Sequence, residues 1–271
     1  MFNLKNKGSI NELINMIETR YSIFNLKIEN EKIKIDKDID WDYINSPNLL
    51  IQGKSGSGKT CLILSMLVQI LTKTKFVNIF DPTYSYISNF NDIDSLKDKI
   101  FNDNYEISKQ IHNIYEGMIR RSKINMKMNI EDKLNSYTED DVKTQFIVFD
   151  EISLWILDGQ KYSDNSEERQ AYNLALSNLF EILIRGRALG IYVIISIQDS
   201  LLSVLPSIIR SQINLNIFMG MLDDNGTVPA LYSELKGWGA VKKHDGSMHT
   251  FYSPEIPKNN NLHEFIKYIG I

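Results

Sequence analysis

The sequence Gly53-Lys-Ser-Gly-Ser-Gly-Lys59-Thr60 lies between a short apolar run, Leu49-Leu-Ile51, and an apolar stretch beginning Cys61-Leu-Ile-Leu64. A strand, a glycine-rich turn and a helix in that order make a phosphate loop. Gly56 and Gly58 let the backbone curl so that successive N–H groups point inward, and the helix amino terminus adds further donors and the positive end of its dipole. Gly53, Ser55, Gly56, Ser57, Gly58, Lys59, Thr60 and Cys61 are therefore the predicted phosphate-binding set. Lys59 is expected to bridge the β- and γ-phosphates as a point charge, and the Thr60 hydroxyl to ligate Mg²⁺. The expected ligand is a nucleoside triphosphate with Mg²⁺.

A second group completes such a site. Phe146-Ile-Val-Phe-Asp150-Glu151 is an apolar run ending in two acids. Asp150 is expected to hold Mg²⁺ through water, since a hard cation takes oxygen ligands and keeps part of its hydration shell. Glu151 is expected to orient and polarise an attacking water; an acidic pair in this position can also serve only as a helix cap. The run Ile191 to Ile195 leads to Ser196-Ile-Gln198, which puts an amide at the carboxyl edge of a sheet, where open α/β folds bind ligands. Gln198 is the candidate γ-phosphate sensor, or else simply a polar strand end. Arg185-Gly-Arg187 offers guanidinium groups for a phosphate in a neighbouring subunit; the alternative is pairing with surface acids. Asp81-Pro82 closes another run and reads as a turn. Cys61 and the methionines between Met118 and Met128 read as packing residues, and His112, His244, His249 and His263 lack the spacing of a zinc site.

The elements that must position these residues are legible as apolar runs. Leu49–Ile51, Phe76–Phe80, Phe146–Phe149, Ile191–Ile195 and Leu215–Met219 are continuous rather than alternating, with helical patterns between most of them. That is the signature of a mainly parallel central sheet covered by helices on both faces, an α/β fold. The main unit is predicted over residues 48–254. Residues 1–47 are expected to form a small α/β cap, with an amphipathic stretch at Ile10–Ile17 and a hairpin drawn from Phe24–Ile28 and Lys32–Ile35. Residues 255–271 are expected to be a tail ending in an amphipathic segment, Leu262–Ile269. A long helix is predicted from Tyr105 to Asn129, carrying Arg120, Arg121, Lys123 and Lys127, and the acidic tract Glu131–Asp141 follows it. Gly159–Arg169 reads as a mobile loop.

Composition narrows the class. The chain of 271 residues is 43% hydrophobic, enough to bury a large core. One cysteine cannot form an internal disulfide, and no leader pattern stands at the amino terminus, which fits a reducing cytoplasm. The longest apolar stretch, Leu62–Leu71, is broken by Ser65 and Gln69 and is far shorter than the roughly 20 residues that cross a bilayer, so no direct membrane insertion is expected. A net charge of -4 supplies no global attraction to nucleic acid, although a ring can confine basic side chains to its channel.

Taken in order, these motifs resemble the FtsK/SpoIIIE DNA translocases and the related conjugative coupling ATPases of the HerA/FtsK group. The resemblance runs from about Asn48 to Pro254. It is carried by Asn48-Leu-Leu-Ile-Gln-Gly53, Phe80-Asp-Pro82, Met118-Ile-Arg-Arg121, Asp150-Glu151, Arg185-Gly-Arg-Ala-Leu-Gly-Ile191 with Ser196-Ile-Gln198, and Ser207-Ile-Ile-Arg-Ser-Gln-Ile213. It implies a RecA-like fold, a homo-hexameric ring, ATP hydrolysis and movement of duplex DNA, with Arg187 or Arg185 of one subunit completing the next subunit's site. It also implies a membrane-bound or relaxase-like recruiting protein. The sequence departs from the cell-division members at Leu215-Asn216, where they carry an arginine, and near Asp223-Asp224, where their Ser-Arg pair is absent. The resemblance does not extend to their membrane-spanning region or winged-helix module, which favours a stripped-down motor of a plasmid, integrative element or phage. The alternative reading is an ATPase acting on protein cargo, of secretion or pilus type, or a nucleotide-regulated switch.

Overall fold

The computed structural model describes residues 32–36, 38–127, 144–220, 236–242 and 246–253. Among these residues, the apolar runs form β3 (Asn48–Gly53), β4 (Val77–Phe80), β6 (Gln145–Phe149), β7 (Ile191–Gln198) and β8 (Leu215–Met219). Every residue of β3 and β4 is buried, as strands covered on both faces require. With β5 (Ile100–Phe101), β9 (Trp238–Lys242) and β10 (Met248–Tyr252) they make an eight-stranded sheet in the order β5-β4-β6-β7-β3-β8-β9-β10. From β5 through β8 all pairings are parallel, and β9 and β10 continue the sheet antiparallel.

Alternate side chains divide the core into two layers. Leu49 and Ile51, Phe146 and Val148, and Tyr192 and Ile194 face helix α1 (Lys59–Lys73). Leu50, Ile147 and Phe149, and Val193 and Ile195 face α2 (Asn104–Lys127), α3 (Ile152–Lys161) and α4 (Glu167–Arg185). The short helix α5 (Ser207–Arg210) leads into β8. The mainly parallel sheet flanked by helices is as the sequence predicts, and so is the long second helix.

Two local expectations change. Lys32–Asp36 (β1) does form a hairpin, pairing antiparallel with Ile39–Asp42 (β2); Phe24–Ile28 lies outside the described residues, as do Ile10–Ile17, Glu131–Asp141, Asp223-Asp224 and the tail from residue 254. The hairpin packs into the α1 layer: Ile33, Ile35 and Trp41 are fully buried there. The Gln69 amide on α1 reads its backbone, accepting from Lys34 N at 2.8 Å and donating to Lys34 O at 2.9 Å. The second change is at Gly159–Arg169, which is not a loop over most of its length. Gly159 lies inside α3, where an added Cβ would fall 2.2 Å from the Tyr172 ring, so this glycine records close packing of two helices rather than a turn. Ser166 caps α4 by accepting from Arg169 N at 3.1 Å, with Glu167 and Glu168 in the first turn, which leaves only a short link between the helices.

Candidate nucleotide-binding site

The phosphate loop leaves β3 at the carboxyl edge of the sheet. Gly53 is confined there because a Cβ would fall 2.2 Å from Met219 O on the neighbouring strand. Gly56 and Gly58 take φ of 75° and 107°, the left-handed region that side chains avoid. Gly58 caps α1 without any side-chain hydrogen bond, and no acid stands in the first helical turn, so the first N–H groups of α1 keep their donor capacity for an anion. The Ser57 hydroxyl is buried with no hydrogen-bond partner among the described residues. Ser55 and Gly56 are exposed at the tip, and Cys61 is half-buried in the first turn of α1.

Lys59 is 8% exposed, and its ammonium spans the loop, donating to Gly53 O at 3.0 Å and Lys54 O at 3.1 Å. Burial pushes its pKa below the usual lysine value, and the charges of Glu151 and Asp150 oppose that shift.

One continuous hydrogen-bonded chain connects the loop to the acid pair. The Thr60 hydroxyl donates to Asp150 Oδ2 at 3.2 Å, and the Ser196 hydroxyl donates to Asp150 Oδ1 at 2.7 Å. Ser196 Oγ accepts from Glu151 N at 2.8 Å, and Glu151 Oε1 accepts from Gln198 N at 2.9 Å and from the Ser153 hydroxyl. Asp150 is 3% exposed, and burial raises its pKa; the nearby Asp81 adds to the rise, while hydroxyls of Ser196, Thr60 and Ser85 oppose it. Glu151 has φ 58° and ψ 63°, a left-handed conformation rare for a side-chain-bearing residue. It stands at the start of α3 without a side-chain cap bond; its carboxylate is taken by Gln198 N and the Ser153 hydroxyl, while that of Asp150 meets Thr60 at the loop.

The parallel register explains why these groups meet. β7 lies between β3 and β6, so Gly53 sits level with Gln198 and the carboxyl ends of the three strands converge. Two contributors were not assigned roles from sequence. Ser196 bridges both acids, a role visible only once β6 and β7 are adjacent. Asp81 is fully buried at the end of β4, accepting from Thr83 Oγ1 at 2.8 Å and from the Ser88 hydroxyl. Its carbonyl accepts from Asn102 Nδ2 at 2.7 Å. The Asp81-Pro82 turn is thus a polar hub whose charge is felt by Asp150.

Arg185 and Arg187 are not brought to this cluster. They stand at the end of α4 and in the 3₁₀ turn Gly186–Leu189, which enters β7 at its amino end, opposite Gln198. At about 3.3 Å rise per residue the strand separates them from the loop by roughly 25 Å. Arg185 pairs with Glu181 at 2.9 Å with its side chain 60% exposed, and Arg187 is exposed. Arg121 has a structural role at that edge, donating to Leu189 O at 3.1 Å and Gln145 Oε1 at 3.0 Å. Among the described residues no three His, Cys, Asp or Glu side chains gather as a metal cage, and no helix is long and apolar enough to cross a membrane.

A RecA-like sheet with a phosphate loop after β3 and an acid pair after β6 defines a P-loop ATPase. The chain belongs to the FtsK/SpoIIIE family, whose model matches residues 10–225. It is 26% identical over 263 residues to the FtsK domain-containing protein YdcQ of Bacillus subtilis strain 168, covering 94% of this chain and 53% of that protein. It is 26% identical over 179 residues to the DNA translocase FtsK of Caldanaerobacter subterraneus subsp. tengcongensis, covering 64% of this chain and 24% of that one. The chain thus spans about half the length of the first of these curated relatives and a quarter of the second. Among solved structures it is similar to the pCW3 conjugation coupling protein TcpA in its monomer form with ATPγS, with a TM-score of 0.65 and 18% identity over 89% of this chain and 72% of that one. It is also similar to ATPases 2 and 3 of EssC from Geobacillus thermodenitrificans, with a TM-score of 0.63 and 16% identity over 86% and 45%. At these identities the structural likeness speaks for the fold.

Proposed function

We propose that this chain is the motor of an ATP-dependent DNA translocase or coupling ATPase, hydrolysing MgATP at the Lys59–Asp150–Glu151 site to move duplex DNA for a plasmid, integrative element or phage. The observation that carries the catalytic part is the chain Thr60–Asp150–Ser196–Glu151–Gln198, which couples the phosphate loop to the buried Asp150 and the half-buried Glu151. Family membership and relatives named as DNA translocases support the cargo.

In this reading the loop N–H groups and Lys59 hold the triphosphate; the ammonium exchanges its bonds to Gly53 O and Lys54 O for phosphate oxygens. Thr60 Oγ1 and Asp150 Oδ2, 3.2 Å apart, are oxygen donors suited to a hard cation, Thr60 directly and Asp150 through water. Mg²⁺, when bound, neutralises charge building on the phosphate oxygens. Glu151, fixed by Gln198 N and Ser153, aligns a water and takes its proton. Gln198 reports the state of the phosphates to β7. Arg187 or Arg185, both far from the site of their own chain, serves the neighbouring site of a head-to-tail hexamer. The chain works in the cytoplasm, brought to its cargo by a membrane-bound or relaxase-like partner. The division into a cap at 1–47, a motor at 48–254 and a tail at 255–271 belongs to the same proposal.

The test is steady-state ATP hydrolysis by wild type and Lys59→Ala, with and without linear duplex DNA, across a salt series. Lys59-dependent turnover that DNA stimulates, with the stimulation fading as salt rises, is expected because phosphate contacts release counterions. Lys59-dependent turnover indifferent to DNA at low salt would overturn the DNA reading in favour of protein cargo.

A further inference from the structure

The antiparallel extension of the sheet is bound to the phosphate loop itself. Gly237, just before β9, donates its N–H to Ser57 O at 2.8 Å, and its carbonyl accepts from Ser253 N at 2.7 Å. Gly58 and Gly237 both have left-handed backbones, and a Cβ on Gly58 would lie 3.3 Å from Gly237 Cα. The Tyr252 ring lies 3.4 Å from where a Cβ on Gly237 would stand. Tyr252 pairs directly with Trp238 across β9 and β10, and the two rings meet edge to face at 5.0 Å. Both are half-buried, and they share the sheet face opposite Phe251, which is packed in the α1 layer. An aromatic pair thus borders the phosphate loop with one glycine between.

The polarity of the site says what can reach it. Asp150, Glu151 and Gln198 lie on the β6–β7 side of the loop, so the γ-phosphate must point that way for Glu151 to address a water beside it. A triphosphate stretched along the loop then carries its sugar and base toward the other side, where β8, β9 and β10 lie. We propose that Trp238 and Tyr252 form a stacking platform for the purine base of the bound nucleotide. The proposal rests on the reading of the phosphate loop as an ATP site and adds the base subsite that this reading lacks. Aromatic faces take any base but gain most from the larger purines, so the platform selects for the presence and size of the base rather than for its edge.

Calorimetric titration of the full chain with MgATP and with magnesium tripolyphosphate separates the base from the phosphates. Tyr252→Ala and Trp238→Ala are each expected to weaken ATP about tenfold, the usual scale of one lost stacking contact. Tripolyphosphate affinity should stay as in wild type, which also shows that the loop is intact, and Tyr252→Phe should retain ATP binding. Unchanged ATP affinity in both alanine variants would overturn the platform, as would equal losses of ATP and tripolyphosphate. Lys59→Ala guards the underlying reading: if it binds both ligands as wild type does, the phosphate site itself is wrong and the platform falls with it. Trp41 and Trp155 are fully buried, so emission changes on adding ATP should come chiefly from Trp238 and vanish in Trp238→Ala.

Discussion

The two edges of the central sheet use polar residues in opposite ways. At the carboxyl edge Thr60, Asp150, Ser196 and Glu151 bond to one another, and two charges are kept in a setting that penalises both. At the amino edge polar side chains satisfy backbone. Asn48, also buried, donates through Nδ2 to Leu183 O and Gln212 O, both at 2.8 Å, and Arg121 holds Leu189 O. Those bonds fasten the end of α4 and the approach to β8 onto the start of β3. Buried side-chain polarity therefore does not by itself mark a site. What marks one is polar groups whose partners are each other and whose charges burial disfavours.

The contrast can be broken at three points. The largest effect is expected for Glu151→Gln: its Oε1 can still accept from Gln198 N, so nucleotide should bind as before while turnover falls about 10²–10⁴-fold. ATP titration beside steady-state hydrolysis checks this, and turnover near wild type would remove Glu151 from its role.

Asn48→Ala should do the reverse. A buried and a part-buried carbonyl lose their donor, at about 1–3 kcal/mol of unfolding free energy, while ATP affinity stays unchanged. Urea unfolding together with a binding isotherm reads both, and lost binding without lost stability would erase the distinction between the edges.

The smallest effect is expected for Asp150→Asn, measured as thermal stability without nucleotide. The carboxyl pKa is raised in the folded state, so the folded chain holds this proton more tightly than the unfolded one. Below the ordinary value of 3.8 both states are protonated and the difference vanishes. Above it the unfolded chain ionises first and wild type loses stability that the amide does not. The variant should therefore melt a few degrees higher at pH 7.5, with the gap closing toward pH 4, even though one hydroxyl loses its acceptor. A gap of the same size at both values would mean that the charge of Asp150 is not what costs stability.

Much of this was readable in one dimension. Five apolar runs, the glycine spacing of the loop and the acids after Phe149 specify strands, a phosphate cradle and an acid pair, because burial on both faces and backbone curvature each demand particular residue types locally. β9 and β10 carry no comparable run: Gly239 interrupts Trp238–Lys242, and Met248-His-Thr-Phe-Tyr252 alternates weakly, as an edge strand in contact with solvent does. The Gly159–Arg169 misreading has the same origin, since a glycine admitted by the Tyr172 ring looks in sequence like one that bends the chain.

Residue type and spacing, then, determined the phosphate loop, the parallel strands and the candidates Lys59, Thr60, Asp150 and Glu151, since those requirements act within a few positions along the chain. Only the tertiary structure decided that Ser196 bridges the two acids, that Asp81 bears on Asp150, that Arg185 and Arg187 stand at the far edge, and that Trp238 and Tyr252 meet beside the glycine that contacts the loop. Each of these follows from strand order, and strand order is set by which apolar faces bury together, a property of the whole sheet that no local segment carries.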